Sequence, residues 1–288
     1  LSRAVVIRSG GLGDFLLTLP LLARLQADGR AVHLVTRHAW HQLIALDGLA
    51  DGFTDIDSAR FASLWSNAMP DLAAVFADAE VFCLLPDPDG TLQRAVCRLG
   101  ATAFRRIDAR PAAPPHAALR ILLDSGLSAE PDVLTTSHLR RPVPPDETTT
   151  GRPAVLWIHP GSGAAAKNAD PEWFAESAKQ FLAQGGTSVT ISFGAADEAV
   201  APLLTRCFAA AGVPFEVVQP PTVTALRTAL ASRATAFLGN DTGVTHLAAA
   251  LAIPTEAVFL ATNPDIWGPV GETVTITDLR TDGIWKEQ

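Results

Sequence analysis

The stretch "AVVIRSGGLGDFLLTLPLLARL", residues 4–25, holds a complete structural unit in one line. A short β-type run at 4–7 passes through a glycine-rich turn into leucines at helical spacing. A strand that enters a helix this way starts a βαβ unit, the building block of parallel sheets. The turn also carries an acid, Asp14. Glycines at 10, 11 and 13 suit a tight turn, but they do not account for a carboxylate at that place.

The alternation continues outward. "AVHLVT" (31–36), "EVFCLL" (80–85) and "TAFRRI" (102–107) read as strands, and residues 15–27, 39–46, 92–99 and 117–123 as helices. "RRPVPPDETTTGRP" (140–153), with four prolines, breaks the rhythm and reads as a linker. The rhythm then restarts. "AVLWIHPG" (154–161) runs from a buried strand into a second glycine loop, and "DPEWFAESAKQFLAQGG" (170–186) is a helix with Asp170 as N-cap, Pro171 at its first position and Gly185 beyond its end. "SVTISFG", "ATAFLG" and "TEAVFL" are further strands, with helices over 197–212 and 242–253. This is an α/β chain of two similar Rossmann-like halves.

Composition narrows the function. A net charge of −8 argues against a nucleic-acid or anionic-membrane binder. No apolar run reaches the ~20 residues of a membrane span, and no signal peptide is read at the N-terminus. Three scattered cysteines suit a reducing cytoplasm. Residues 1–150 contain arginines and no lysine, so Lys167, in a glycine-rich loop, stands out.

Ligands of parallel α/β sheets bind outside the carboxyl ends of the strands, and three unusual loops fall there. "GLGDFL" (11–16) is an imperfect dinucleotide fingerprint: Leu16 stands where the third glycine belongs, and "VTRH" lacks the ribose-binding acid. Arg37 keeps an NADP-dependent dehydrogenase open as an alternative. Asp14 reads either as a helix cap or as a base aimed at a ligand. In "HPGSGAAAKNADPEW" (159–173), backbone N–H groups around Gly161, Ser162 and Gly163, together with Lys167, suit a diphosphate; the alternative is a plain connecting loop with a solvated lysine. In "GNDTGVTH" (239–246), Asp241, Thr242 and Gly243 open a helix whose N-terminus attracts anions, with His246 one turn on. Asp241 as N-cap and His246 as a packed side chain are the alternatives. The D-x-D pairs at 55–57 and 87–89 and the histidines of "HAWH" (38–41) lack companions for a metal site.

Taken together, "GLGDFLLTLPLLARL" (11–25), "IHPGSGAAAKNADPEWFAESAKQF" (158–181) and "FLGNDTGVTHLAAALAIPTEAVFLATNPDIWGP" (237–269) resemble the ADP-heptose:lipopolysaccharide heptosyltransferase family. The resemblance implies a GT-B fold, two Rossmann-like parallel-sheet domains facing a cleft. Residues 1–145 would be the acceptor-side domain and 151–288 the nucleotide-sugar-binding domain. It implies an inverting, metal-independent glycosyltransferase that moves a heptose or related sugar from an ADP-sugar to a sugar hydroxyl of a glycan or glycolipid. Asp14, as general base, and Lys167 would be catalytic. Gly161, Ser162, Lys167, Glu198 (with Asp197 as rival), Asp241, Thr242, Gly243 and His246 would bind the donor. Gly11, Gly13, Asp14 and Arg98 would lie on the acceptor side, and Arg94, Arg105 and Arg106 are further candidates to face an acidic sugar. The implied protein is a cytoplasmic monomer with peripheral contact at the inner membrane, without cofactor, metal or nucleic acid. Two loops depart from the family: "KNA" (167–169) replaces Lys-Arg-Trp, and "TNP" (262–264) replaces Thr-Asp-Pro. They leave room for a nucleotide-sugar-binding protein without transferase activity, or for a hydrolase or epimerase of the same fold.

Overall fold

A computed structural model describes residues 2–66, 71–141, 153–194, 197 and 200–280. The chain forms two compact units, Leu1–Val133 and Leu134–Gln288. The first contains β1 (Arg3–Ile7), α1 (Leu12–Leu16), α2 (Leu19–Ala27), β2 (Ala31–Thr36), α3 (His38–Ile44), β3 (Gly52–Asp55), α4 (Ala59–Ala62), α5 (Ala73–Phe76), β4 (Ala79–Cys83), α6 (Thr91–Arg98), β5 (Ala103–Arg106) and α7 (Ala117–Asp124). The second contains β6 (Val155–His159), α8 (Pro171–Ala183), β7 (Ser188–Ser192), α9 (Ala201–Ala210), β8 (Glu216–Val218), α10 (Val223–Arg233), β9 (Ala236–Asn240), α11 (Gly243–Ala250), β10 (Thr255–Phe259), α12 (Pro264–Trp267) and β11 (Val274–Asp278).

Both sheets are parallel throughout. Their orders are β3-β2-β1-β4-β5 and β11-β10-β9-β6-β7-β8. In each, the first strand is central, the next two extend to one side, and the chain then returns to the other side. The order therefore reverses between β1 and β4 in the first unit and between β6 and β9 in the second. Ligands of doubly wound sheets bind at such a reversal.

The central strands are apolar on both faces because helices cover both. Val5, Ile7, Val81, Phe61 and Phe76 pack together in the first unit; Ile158, Phe174, Ile191, Phe208 and Leu238 do so in the second. Each such side chain contributes about 1.5–3 kcal/mol of burial. The expected caps of α8 are in place: the Asp170 carboxylate accepts from Glu172 N–H at 2.9 Å, and Gly185 takes a φ of +97°.

Three expectations change. The helix read over 15–27 is two helices, because Pro20 has no N–H and its ring would strike the carbonyl of Leu16 in a continuous helix. The short strands β3 and β8 carry too few apolar residues to be recognised by periodicity, and β11, where Val274 and Ile276 alternate with threonines, joins them as a strand not read from the sequence. The proline-rich break lies almost entirely outside the described residues, and the compact units divide earlier, at Val133/Leu134. Residues after that point are already tied to the second unit: Gly271 N–H donates to Leu134 O, Leu139 N–H to Ala250 O, and the Arg141 guanidinium to the carbonyls of Ala231 and Ala234.

Candidate active site

In the first unit, the chain leaves β1 at Arg8, whose N–H still bonds Val35 O at 2.9 Å. Gly10 follows with φ +109°. Gly11 is the N-cap of α1, and Asp14 is the third residue of that helix. The Asp14 Oδ2 accepts from Gly11 N–H at 3.0 Å. A Cβ on Gly10 would lie 2.7 Å from that oxygen. Gly10 is thus the glycine the turn requires, for its backbone and for the approach of Asp14; a Cβ on Gly11 would make ordinary contact. The Trp40 indole donates to Gly10 O at 3.3 Å and its ring stacks on Phe15, which pins the turn from behind.

The other Asp14 oxygen, Oδ1, lies 3.2 Å from Nη2 of Arg8. Asp14 therefore caps its helix from the third position, accepting from the N-cap N–H, and at the same time pairs with a buried guanidinium. Burial and the nearby charge of Arg110 lower the Arg8 pKa, while the Asp14 carboxylate acts in the opposite direction. A cavity of about 620 Å³ opens at this point, lined by Arg8, Asp14, Arg106, Arg110 and Asp124 among others. Arg98 is not brought here. It ends α6, at the edge where the sheet's strands begin. Arg105 pairs with Glu80, and Arg94 turns to Asp89 O and Thr91.

The discounted acids have local work. Asp87 accepts from Leu92 and Gln93 N–H at the start of α6, both at 3.0 Å. Asp89 accepts from Thr91, and Asp55 from Asp57 N–H. His41 stacks on Phe53. Among the described residues, no group of three or more His, Cys, Asp or Glu is placed to hold a metal ion.

In the second unit, the loops after β6 and β9 meet. Lys167 Nζ lies 2.6 Å from Asp241 Oδ2, and the Thr262 hydroxyl donates to the same oxygen. His246 Nε2 is 3.8 Å from Oδ1; its Nδ1 is buried and has no hydrogen-bond partner among the described residues. Burial alone would push the Asp241 carboxyl up, but contacts with His246, Lys167 and Thr262 outweigh it and hold the group well below the usual carboxylate range. Asp241 is not the N-cap of α11. That role falls to Thr242, whose hydroxyl accepts from Thr245 N–H, leaving the first N–H groups of the helix, Gly243 among them, without partners inside it. Ser162 folds its hydroxyl back onto Ala164 O at 2.6 Å.

Sequence reasoning missed the residues that hold these loops. Asn240, fully buried, donates to Pro160 O at 2.6 Å and accepts from Ala169 N–H at 3.0 Å, joining both ends of the Lys167 loop to β9. Asp197 is buried, accepts from Gly194 N–H, and lies 3.6 Å from His159 Nε2. A Cβ on Gly161 would fall 1.5 Å from the Asp197 carboxylate. Burial lowers the His159 pKa against the opposing charge of Asp197 and a contact with Ser192. Glu198 lies outside the described residues.

The family model described as glycosyltransferase family 9 (heptosyltransferase) matches residues 122–284. No curated protein matches the chain. Several solved structures resemble it. A glycosyl transferase family 9 protein from Veillonella parvula shares 18% identity, covering 96% of this chain and 87% of its own, at a TM-score of 0.73. The E. coli heptosyltransferase WaaC with ADP shares 20%, covering 96% and 93%, at 0.67. The E. coli ADP-heptose lps heptosyltransferase II shares 19%, covering 96% and 90%, at 0.65. At such identities these likenesses speak for the fold, which is GT-B. Among the described residues, no helix is long and apolar enough to cross a membrane. With the family model matching more than half of its length, the chain belongs to glycosyltransferase family 9, the heptosyltransferases, and is a glycosyltransferase of that type.

Proposed function

We propose that the protein is an inverting, metal-independent transferase that moves a heptose or related sugar from an ADP-sugar to a hydroxyl of a glycan or glycolipid. The observation that carries this reading is the Lys167–Asp241 pair beside the N-terminus of α11, at the strand-order reversal of the second sheet. A diphosphate there meets one half-exposed ammonium and the free N–H groups at Thr242–Gly243, with the Gly161–Ser162 turn beside them and His246 behind. E. coli WaaC, of the same fold, is solved with ADP and with ADP-2-deoxy-2-fluoro heptose, which supports adenine as the donor base.

In this reading the acceptor hydroxyl is held near Gly11, Gly13 and Asp14. Its oxygen attacks the anomeric carbon on the face opposite the diphosphate. The bond from that carbon to the phosphate oxygen breaks, and ADP leaves with the bonding pair. Asp14 takes the hydroxyl proton, and configuration inverts. Lys167 and the helix N-terminus stabilise the charge that develops on the diphosphate, each contact contributing about 2.7–4 kcal/mol by analogy with oxyanion donors. No cofactor takes part. The reading places the enzyme in the cytoplasm as a monomer that meets a lipid-linked glycan at the inner leaflet.

The test is calorimetric titration with ADP, UDP, GDP and NADP, followed by ADP release from ADP-heptose with de-O-acylated lipopolysaccharide as acceptor. Selective binding of ADP and acceptor-dependent release that survives EDTA are expected. Tighter binding of NADP, or strict dependence on added divalent metal, would contradict the reading.

A further inference from the structure

We propose that Arg8 is a positioning residue for Asp14, fixing the direction in which that carboxylate meets the acceptor hydroxyl. The proposal rests on Asp14 being the general base. Arg8 closes β1, and its side chain is only 4% exposed. A buried cation is unfavourable unless matched by charge and hydrogen bonds. Among the described residues, every hydrogen bond and ion pair of the Arg8 side chain goes to Asp14: Nε and Nη2 donate to Asp14 O at 3.1 and 3.0 Å, and Nη2 lies 3.2 Å from Oδ1.

That carbonyl is available because the helix breaks. In a continuous helix it would accept from Thr18 N–H. Here Thr18 N–H turns back to Phe15 O at 2.9 Å, and the Asp14 carbonyl receives the Arg8 fork and the Thr18 hydroxyl instead. The guanidinium thus grips the backbone and the carboxylate of one residue together. Gly11 N–H holds the other carboxylate oxygen, and Asp14 lines the cavity. Two other cations line the cavity, but Arg106 donates to Asp87 O, and among the described residues neither Arg106 nor Arg110 is paired with Asp14. An ammonium on a lysine stem, a single point charge, cannot reproduce the planar fork.

The test measures ADP release from ADP-heptose with de-O-acylated lipopolysaccharide for wild type, Arg8→Gln, Arg8→Lys, Asp14→Asn and the Arg8→Gln/Asp14→Asn double variant. Arg8→Gln is expected to lower kcat about 10- to 100-fold, the scale of a misplaced reacting group, with KM for ADP-heptose unchanged. Arg8→Lys should recover part of that loss. In the Asp14→Asn background Arg8→Gln should remove nothing further, since a residue that acts through another is not additive with it. Wild-type kcat in Arg8→Gln, or an equal loss in both backgrounds, overturns the proposal while leaving Asp14 in place. Near-normal turnover of Asp14→Asn overturns the base reading and this proposal with it. If Arg8→Gln does not fold, Arg8→Lys decides: kcat at the wild-type level overturns the fork.

Discussion

At the strand-order reversal of the first sheet, the buried member of the ion pair is the cation; at that of the second, it is the carboxylate. Arg8 is 4% exposed and its partner Asp14 33%, whereas Asp241 is 8% exposed and its partner Lys167 30%. In each pair one charge is fixed inside the protein and holds the other at the surface of a loop. The first unit presents a carboxylate, suited to accept a proton, and the second an ammonium, suited to meet a diphosphate. The same sheet topology, with the pair reversed, yields opposite chemistry at the two edges.

The largest expected effect is on the first pair. Asp14→Asn should reduce turnover by about 10²–10⁴, the range for loss of a general base, in a chain that still folds but melts at a lower temperature, because asparagine can still accept from Gly11 N–H while buried Arg8 loses its counter-charge. Turnover and thermal melts of the one variant check both halves of that statement. Near-normal turnover would reduce the first pair to a structural staple and end the comparison.

The glycines sharpen it. Each unit makes room for a carboxylate by omitting a Cβ, at Gly10 for Asp14 and at Gly161 for Asp197. Asp197 is buried, so Gly161→Ala should cost about 3 kcal/mol, the upper end for overpacking, readable in chemical denaturation of the folded chain. Gly10→Ala should displace Asp14 and lower turnover more than stability. The reverse order of effects would contradict the assignment of Asp14 to turnover and of Asp197 to packing.

A smaller effect concerns pH. The Asp241 carboxyl is held below its ordinary value in the folded chain. Its stabilisation is therefore complete above the unfolded value near pH 3.9 and is lost as pH falls further, towards the folded value. Asp241→Asn should cost about 2 kcal/mol at neutral pH, typical of hydrogen bonds to a charged group. The gap to wild type should narrow once pH drops below about 4. A gap that is constant with pH would mean the pair contributes no charge-dependent stability.

Much of this arrangement was legible in the chain itself. Strands β1, β6 and β9 end in glycine, aspartate or threonine clusters, and those clusters mark the two reversal points once parallel βαβ units are assumed. Asp14 and Asp241 stand out as acids set among glycine and threonine at helix starts, and Lys167 because lysine is scarce in this chain. The residues that orient them do not. Arg8 reads as the polar end of a strand, and the helix break before Pro20, which frees the Asp14 carbonyl, gives its guanidinium a second contact beside the Asp14 carboxylate. Asn240 acts through contacts with Pro160 and Ala169, and Asp197 through His159, all distant in sequence and brought near by sheet pairing. Arg98 closes a helix that leads into β5, so the βαβ alternation sets it at the edge where the strands begin and not at the ligand edge.

The central claim is that the exposed member of each pair serves a different substrate. Its most direct test is calorimetric titration of ADP into wild type, Lys167→Ala and Asp14→Asn under one set of conditions. The account predicts that Lys167→Ala weakens ADP binding about 10- to 100-fold, the effect of a lost charge-assisted contact, while Asp14→Asn binds ADP like wild type. Equal weakening in both variants, or wild-type affinity in Lys167→Ala, would contradict it.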